Sequence, residues 1–94
     1  MLEICPTSNV LLRVVDDIDT HALPALRAAG VRVCLNTDDP GWFATDLVTE
    51  LAIASEHLGV SRADHVAMQL DAVDAAFVSD SSRAAIAAEL DGYA

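Results

Sequence analysis

Ninety-four residues are enough for one small domain and no more. Apolar residues make up 53% of the chain, which excludes a disordered polar coil, yet no apolar run reaches the length of a membrane span. Fifteen acidic residues stand against five arginines and no lysine, and the net charge of −10 disfavours nucleic-acid backbones and anionic membrane surfaces as partners.

The chain opens on Leu2 to Cys5, a short apolar run with strand character, which Pro6-Thr7-Ser8-Asn9 ends as a loop signal. No basic or long apolar stretch marks a signal peptide in MLEICPTSN, so a cytoplasmic setting is expected. Val10 to Val15 is apolar but for Arg13, and fits an irregular loop or a short strand. A polar stretch containing Asp16, Asp17, Asp19 and Thr20 leads to a short helix with Pro24 in its first turn and Gly30 at its end. Val31 to Leu35 reads as a second strand, with Val31, Val33 and Leu35 on one face and Arg32 and Cys34 on the other.

Asp38-Asp39-Pro40-Gly41 follows as a turn. Thr45 then suits the N-cap of a helix whose apolar stripe is Leu47, Val48, Leu51, Ala54 and Leu58, stopped at Gly59. Ser61-Arg62-Ala63-Asp64 has the form of a capping box, opening a helix through Val66, Met68, Leu70, Val73 and Phe77. An Ala-rich helix over 81–90 ends near Gly92. The order is strand, short helix, strand, then three helices, without repeat or linker.

A β-α-β unit with a short crossover implies two parallel strands, and parallel strands need cover on both faces. Two strands are too few for such a sheet, and both edges would carry unpaired backbone groups that invite association. The pattern reads as part of a larger α/β structure.

Active sites of parallel α/β folds gather at the carboxyl ends of strands, where Asp38 and Asp39 fall. A carboxylate there could bind a divalent metal while its neighbour accepts a hydrogen bond from a substrate. Asn36-Thr37-Asp38-Asp39-Pro40-Gly41 is equally ordinary turn chemistry. Ser8 and Asn9, at the matching position after the first strand, could face a shared pocket or simply cap a loop. His21, His57 and His65 have no metal-ligand spacing. His57 and His65 fall within amphipathic helices, on their solvent-facing or boundary sides, and His21 precedes a helix where it could cap or position the loop or, less readily, touch the site. Cys5 and Cys34, without a C-x-x-C, read as small buried residues. No P-loop, G-x-G-x-x-G or G-x-S-x-G is present.

The segments LEICPTSNV and GVRVCLNTDDPGWF, in that order and spacing, resemble the C-terminal part of the adenosine deaminase family, which includes adenine and other aminopurine deaminases. THALPALRAAG between them and DAVDAAFVSD near the end extend the resemblance over essentially all of residues 1–94. It implies the last two β/α units of a TIM-type (β/α)8 barrel plus C-terminal helices, an incomplete barrel, since a full one takes ~250 residues. It also implies a zinc cofactor that activates water for hydrolytic loss of an exocyclic amine as ammonia. By position Asp38 matches the family's metal-binding aspartate and Asp39 the neighbour that hydrogen-bonds the purine.

The family's His-x-His pair, its third zinc histidine, its catalytic Glu and its further catalytic His have no counterpart here. The three histidines of this chain do not fill those roles, and residues 1–94 are expected to be inactive alone. The substrate implied is a purine nucleoside, adenosine, or a purine base, with adenine and aminodeoxyfutalosine deaminases as alternatives. Self-association or complementation with the missing N-terminal part is the partnership this suggests. A non-catalytic interaction module derived from the barrel, or a mis-started reading frame, are the competing readings.

Overall fold

In the computed structural model, which describes residues 1–93, β1 (Leu2–Ile4) and β2 (Val33–Leu35) lie side by side and parallel. Leu2 pairs with Val33, Glu3 with Cys34 and Ile4 with Leu35. The ladder runs one step beyond each end, through Leu2 N–H to the Arg32 carbonyl at 2.9 Å and Asn36 N–H to the Ile4 carbonyl at 2.8 Å. Between the strands the chain forms α1 (Pro6–Leu11), a 3₁₀ turn at Ile18–Thr20 and α2 (Leu23–Ala28). After β2 come the single turn α3 (Pro40–Phe43) and three longer helices, α4 (Leu47–His57), α5 (Arg62–Ala75) and α6 (Asp80–Asp91).

The core forms where these elements cross: Ile4 from β1, Leu23 from α2, Val33 and Leu35 from β2, Ala54, Leu58 and Val60 from α4 and the turn after it, and Met68 from α5. Leu23 is wholly buried, worth about 2 kcal/mol relative to exposure. Helix α5 packs against both β2 and α6, while α4 touches α1 and β2. The left-handed backbone that ends α2 and α4 falls on Gly30 (φ +83°) and Gly59 (φ +66°), as their helix-stopping role requires.

Several expectations need correction, among them the turn at 38–41, whose Pro40 and Gly41 instead open α3, so that four helices follow β2 among the described residues. Pro6-Thr7-Ser8-Asn9 is the first turn of α1 rather than a loop, because proline at the first helical position has its φ preset and no N–H to satisfy. The strand at 31–35 shortens to Val33–Leu35 and all three of its residues are buried, so the two-faced alternation disappears. Helices cover both faces of a parallel strand, and this one is covered accordingly. The cap of α4 is Asp46, whose carboxylate accepts from Thr49 N–H at 2.7 Å, and Thr45 turns its hydroxyl elsewhere. Helix α5 stops at Ala75, leaving Phe77 outside it and fully exposed. The capping box at Ser61 forms as expected, with both reciprocal bonds present.

Candidate functional site

Three consecutive residues in the first turn of α1 each tie down a different element. Thr7 binds α4: its N–H donates to Glu50 Oε2 at 3.0 Å and its hydroxyl donates to Glu50 Oε1. Ser8, itself buried, donates from Oγ to Asp38 Oδ2 at 2.8 Å. Asn9 meets His21, with Oδ1 2.9 Å from Nε2. The CPTSN segment thus gathers the loop after β2, the loop before α2 and the body of α4 at the carboxyl end of the two strands.

Asp38 stands in the left-handed backbone region (φ +55°), where Asp and Asn are the commonest non-glycine residues. Both Asp38 and Asp39 are exposed. Asp39 occupies the N-cap position of α3 without a side-chain capping bond, so its carboxylate is not consumed by the turn. The Cys5 thiol is pushed above its ordinary value, first by burial and next by the nearby Asp38 charge.

His21 positions a loop. Leu23 N–H donates to its Nδ1 at 2.9 Å, which leaves Nε2 to carry the proton given to Asn9. Burial lowers its pKa, in keeping with a neutral ring. His57 lies exposed against Asp19 at 2.9 Å, and His65 Nε2 is 2.9 Å from Ser55 Oγ on the helical side of the molecule. Neither shares a bond with Asp38.

Glu50 escaped the reading of the sequence. It sits where an amphipathic helix normally carries a solvated charge, yet it is wholly buried. Beyond Thr7 it accepts the Thr45 hydroxyl at 2.6 Å, so one carboxylate joins α1 to the segment just after Asp38-Asp39. Cys5, the N-cap of α1, offers no side-chain bond, and Glu50 caps that helix from across the fold. A signal did exist: two threonines and a glutamate around two turns are the donors and acceptor that such a clasp needs.

An apolar cavity of about 270 Å³ opens elsewhere, between β2 and helices α4 to α6, with Leu35, Leu51, Met68, Ile86 and Leu90 in its wall and neither Asp38 nor Asp39 among its lining.

Zinc sites take four ligands, or three and a water. Among the described residues no group of three or more His, Cys, Asp or Glu side chains is placed to hold a metal ion. The donors of this chain therefore do not by themselves fit a zinc centre, and no metal-dependent step is assigned to them alone.

Two parallel strands joined by a helical crossover, with paired aspartates at their carboxyl end, define a portion of a parallel α/β fold. The sequence profile of the family described as adenosine deaminase matches residues 1–93, and the chain belongs to that family. It is 46% identical over its full length to an adenine deaminase of Mesorhizobium japonicum, of which it covers 29%. It is 41% identical over 92 residues to an aminodeoxyfutalosine deaminase of Streptomyces avermitilis, covering 98% of this chain and 26% of that protein. The solved adenine deaminase of Arthrobacter aurescens superposes with a TM-score of 0.91 at 31% identity, over 97% of this chain and 28% of that one. The N6-methyl-AMP deaminase of Arabidopsis thaliana superposes at 0.86 with 36% identity, over 96% and 27%. The chain thus spans between a quarter and a third of the length of these relatives.

Proposed function

We propose that residues 1–94 form the closing two β/α units and the C-terminal helices of a zinc-dependent aminopurine deaminase barrel, with Asp38 as one zinc ligand and Asp39 as the contact to the purine ring. The observation that carries this reading is the Ser8–Asp38 hydrogen bond, which joins the two family motifs at the carboxyl end of the sheet. The remaining ligands and the proton-transfer groups would come from strands outside these residues. Exposed Trp42 and Val48, together with the two unpaired strand edges, fit surfaces that such strands would cover. No described helix is long and apolar enough to cross a membrane, which fits the cytoplasmic setting proposed for the whole enzyme.

The substrate class is a purine with an exocyclic amine. Identity over the whole chain to proteins named adenine deaminase favours free adenine. Adenosine is the second reading, since the CPTSN, LNTDDP and FATDLVTE segments sit well with adenosine or aminodeoxyfutalosine deaminases, and the Arabidopsis protein solved with GMP and with IMP keeps phosphorylated purines in the comparison.

The test is complementation. The chain alone with zinc should release no ammonia from adenine or adenosine. Co-expressed with the N-terminal two-thirds of a family barrel it should bind one zinc and deaminate, and Asp38→Asn should abolish zinc retention while Asp39→Asn spares it. Turnover by the isolated chain, or equal loss of zinc in both variants, would overturn the assignment. The ratio of rates on adenine and adenosine decides between the two substrates.

A further inference from the structure

We propose that Glu50 is the positioning residue of this site: its buried carboxylate locks α1 to the segment after α3 and so fixes where Asp38 and Asp39 stand. The inference rests on the reading of those two aspartates as site residues and adds a residue that touches neither metal nor substrate.

Glu50 is wholly buried, and no arginine or histidine pairs with it among the described residues. Burying a carboxylate without a counter-ion is strongly unfavourable unless its oxygens are hydrogen-bonded, so a space-filling leucine or methionine would suit this spot better if packing were the only demand. The bonds it makes define its task. Oε2 takes the N–H of Thr7, and Oε1 takes the hydroxyls of Thr7 and Thr45.

Thr7 precedes Ser8, the residue bonded to Asp38. Thr45 follows α3, and its own N–H closes that turn on the Pro40 carbonyl at 3.1 Å, next to Asp39. The segment carrying the aspartates is therefore gripped from both sides, by Ser8 at Asp38 and by Glu50 through Thr45. Between these grips lie two residues with left-handed backbone, Asp38 (φ +55°) and Ala44 (φ +51°). Left-handed non-glycine backbone persists where surrounding contacts over-determine it. Glu50 supplies that constraint from a rigid helix.

Glu50→Ala removes all three bonds at once and risks unfolding, so the decisive variants are Thr45→Val and Thr45→Ser. Valine keeps the shape and loses the hydroxyl, whereas serine keeps the hydroxyl. Amide hydrogen exchange is followed on the chain, in complex with the strands that close its barrel where these are needed for folding. Thr45→Val should speed exchange of the Phe43 and Thr45 amides about tenfold, because their bonds to Asp39 and Pro40 carbonyls open more often. Amides of α5 and α6 should be unchanged, and Thr45→Ser should restore the native rates.

In the assembled deaminase the valine variant should lower kcat and zinc retention together, with both recovered by serine. Unchanged exchange at Phe43 and Thr45, or acceleration spread evenly over the chain, would overturn the inference even in a fully active enzyme. An assembly that is inactive in its native form would instead sink the deaminase reading, while the exchange result still decides whether Glu50 governs the aspartate segment.

Discussion

The two ends of this molecule are held by polar contacts of opposite kinds. At the carboxyl end of the strands the bonds join residues far apart in sequence: Thr7 to Glu50, Ser8 to Asp38, Asn9 to His21. At the helical end most are local. Ser61 and Asp64 cap α5 reciprocally, Ser79 caps α6, and Arg83 gathers the carbonyls that α5 leaves at its C-terminus. The site end is therefore fixed by tertiary structure, while the helical end combines its own turns with the Arg27–Asp64, Arg32–Asp71 and Arg32–Asp74 ion pairs that tie α5 to α2 and to the start of β2. Losing Glu50 should loosen several elements at the first end, and losing a cap or Arg83 a single joint at the second.

The largest test of that contrast is Glu50→Ala. It strands the Thr7 N–H and two hydroxyls in a partly buried space, and hydrogen bonds to charged groups are worth more than neutral ones. A loss of about 3 kcal/mol in urea unfolding is expected, with β1 and α1 amides losing protection along with α4. A loss confined to α4 would break the comparison.

Arg83→Ala comes next. The guanidinium donates to Val73 and Asp74 carbonyls at 2.6 Å and to Ala76 and Val78 carbonyls at 3.2 Å, in partly exposed surroundings. About 1.5 kcal/mol should be lost, and exchange should quicken at the α5–α6 joint while Asp38 and its neighbours keep their protection. Arg83→Lys should recover little, because an ammonium cannot fork across four carbonyls. Ser61→Ala should cost about 1 kcal/mol and fray only the first turn of α5, read from its amide exchange.

The smallest effect is set by pH. His21 and His65 have pKa values lowered by burial, so their contribution is complete above the ordinary histidine value near 6.5 and fades as pH falls below it. Protonating His21 Nδ1 would also break the bond from Leu23 N–H. Asp64, held down first by Arg27 and then by Ser61, and Asp46, held down by Thr49, lose their contribution only below about 3.8, their ordinary value. The urea midpoint should thus dip modestly between pH 7 and pH 5 and again below pH 4. His21→Gln should flatten part of the first step and leave the second. A midpoint constant from pH 7 to pH 5 would contradict the first half.

The same contrast explains what the amino-acid sequence disclosed. Gly30 and Gly59 as helix stops and the Ser61 capping box were legible because each depends on residues a few positions apart. Family motifs single out Asp38 and Asp39 as the proposed site, where spacing alone reads a turn. Helix α1 is hidden in the sequence because Thr, Ser and Asn are usual turn formers. Their side chains here are spent on Glu50, Asp38 and His21, partners 43, 30 and 12 positions away. Glu50 carries no local signal of its burial, since that depends on what folds over it. The apolar stripe expected on α4 is half covered: Ala54 and Leu58 are buried, while Leu47 and Val48 face outward.

The left-handed backbone at Asp38 has a bearing on how relatives should be read. Aspartate, asparagine and glycine adopt that conformation readily, and other residues carry about 1 kcal/mol or more of strain there. Under the zinc-ligand role proposed for Asp38, two separate demands, one of shape and one of charge, fall on a single codon. Alanine at position 38 confounds them by failing both, whereas asparagine meets the first and fails the second. A descendant of this fold with asparagine or glycine at 38 would have kept the architecture of its loop after surrendering the charge, and under that same proposal the position marks where metal binding was abandoned and scaffold retained.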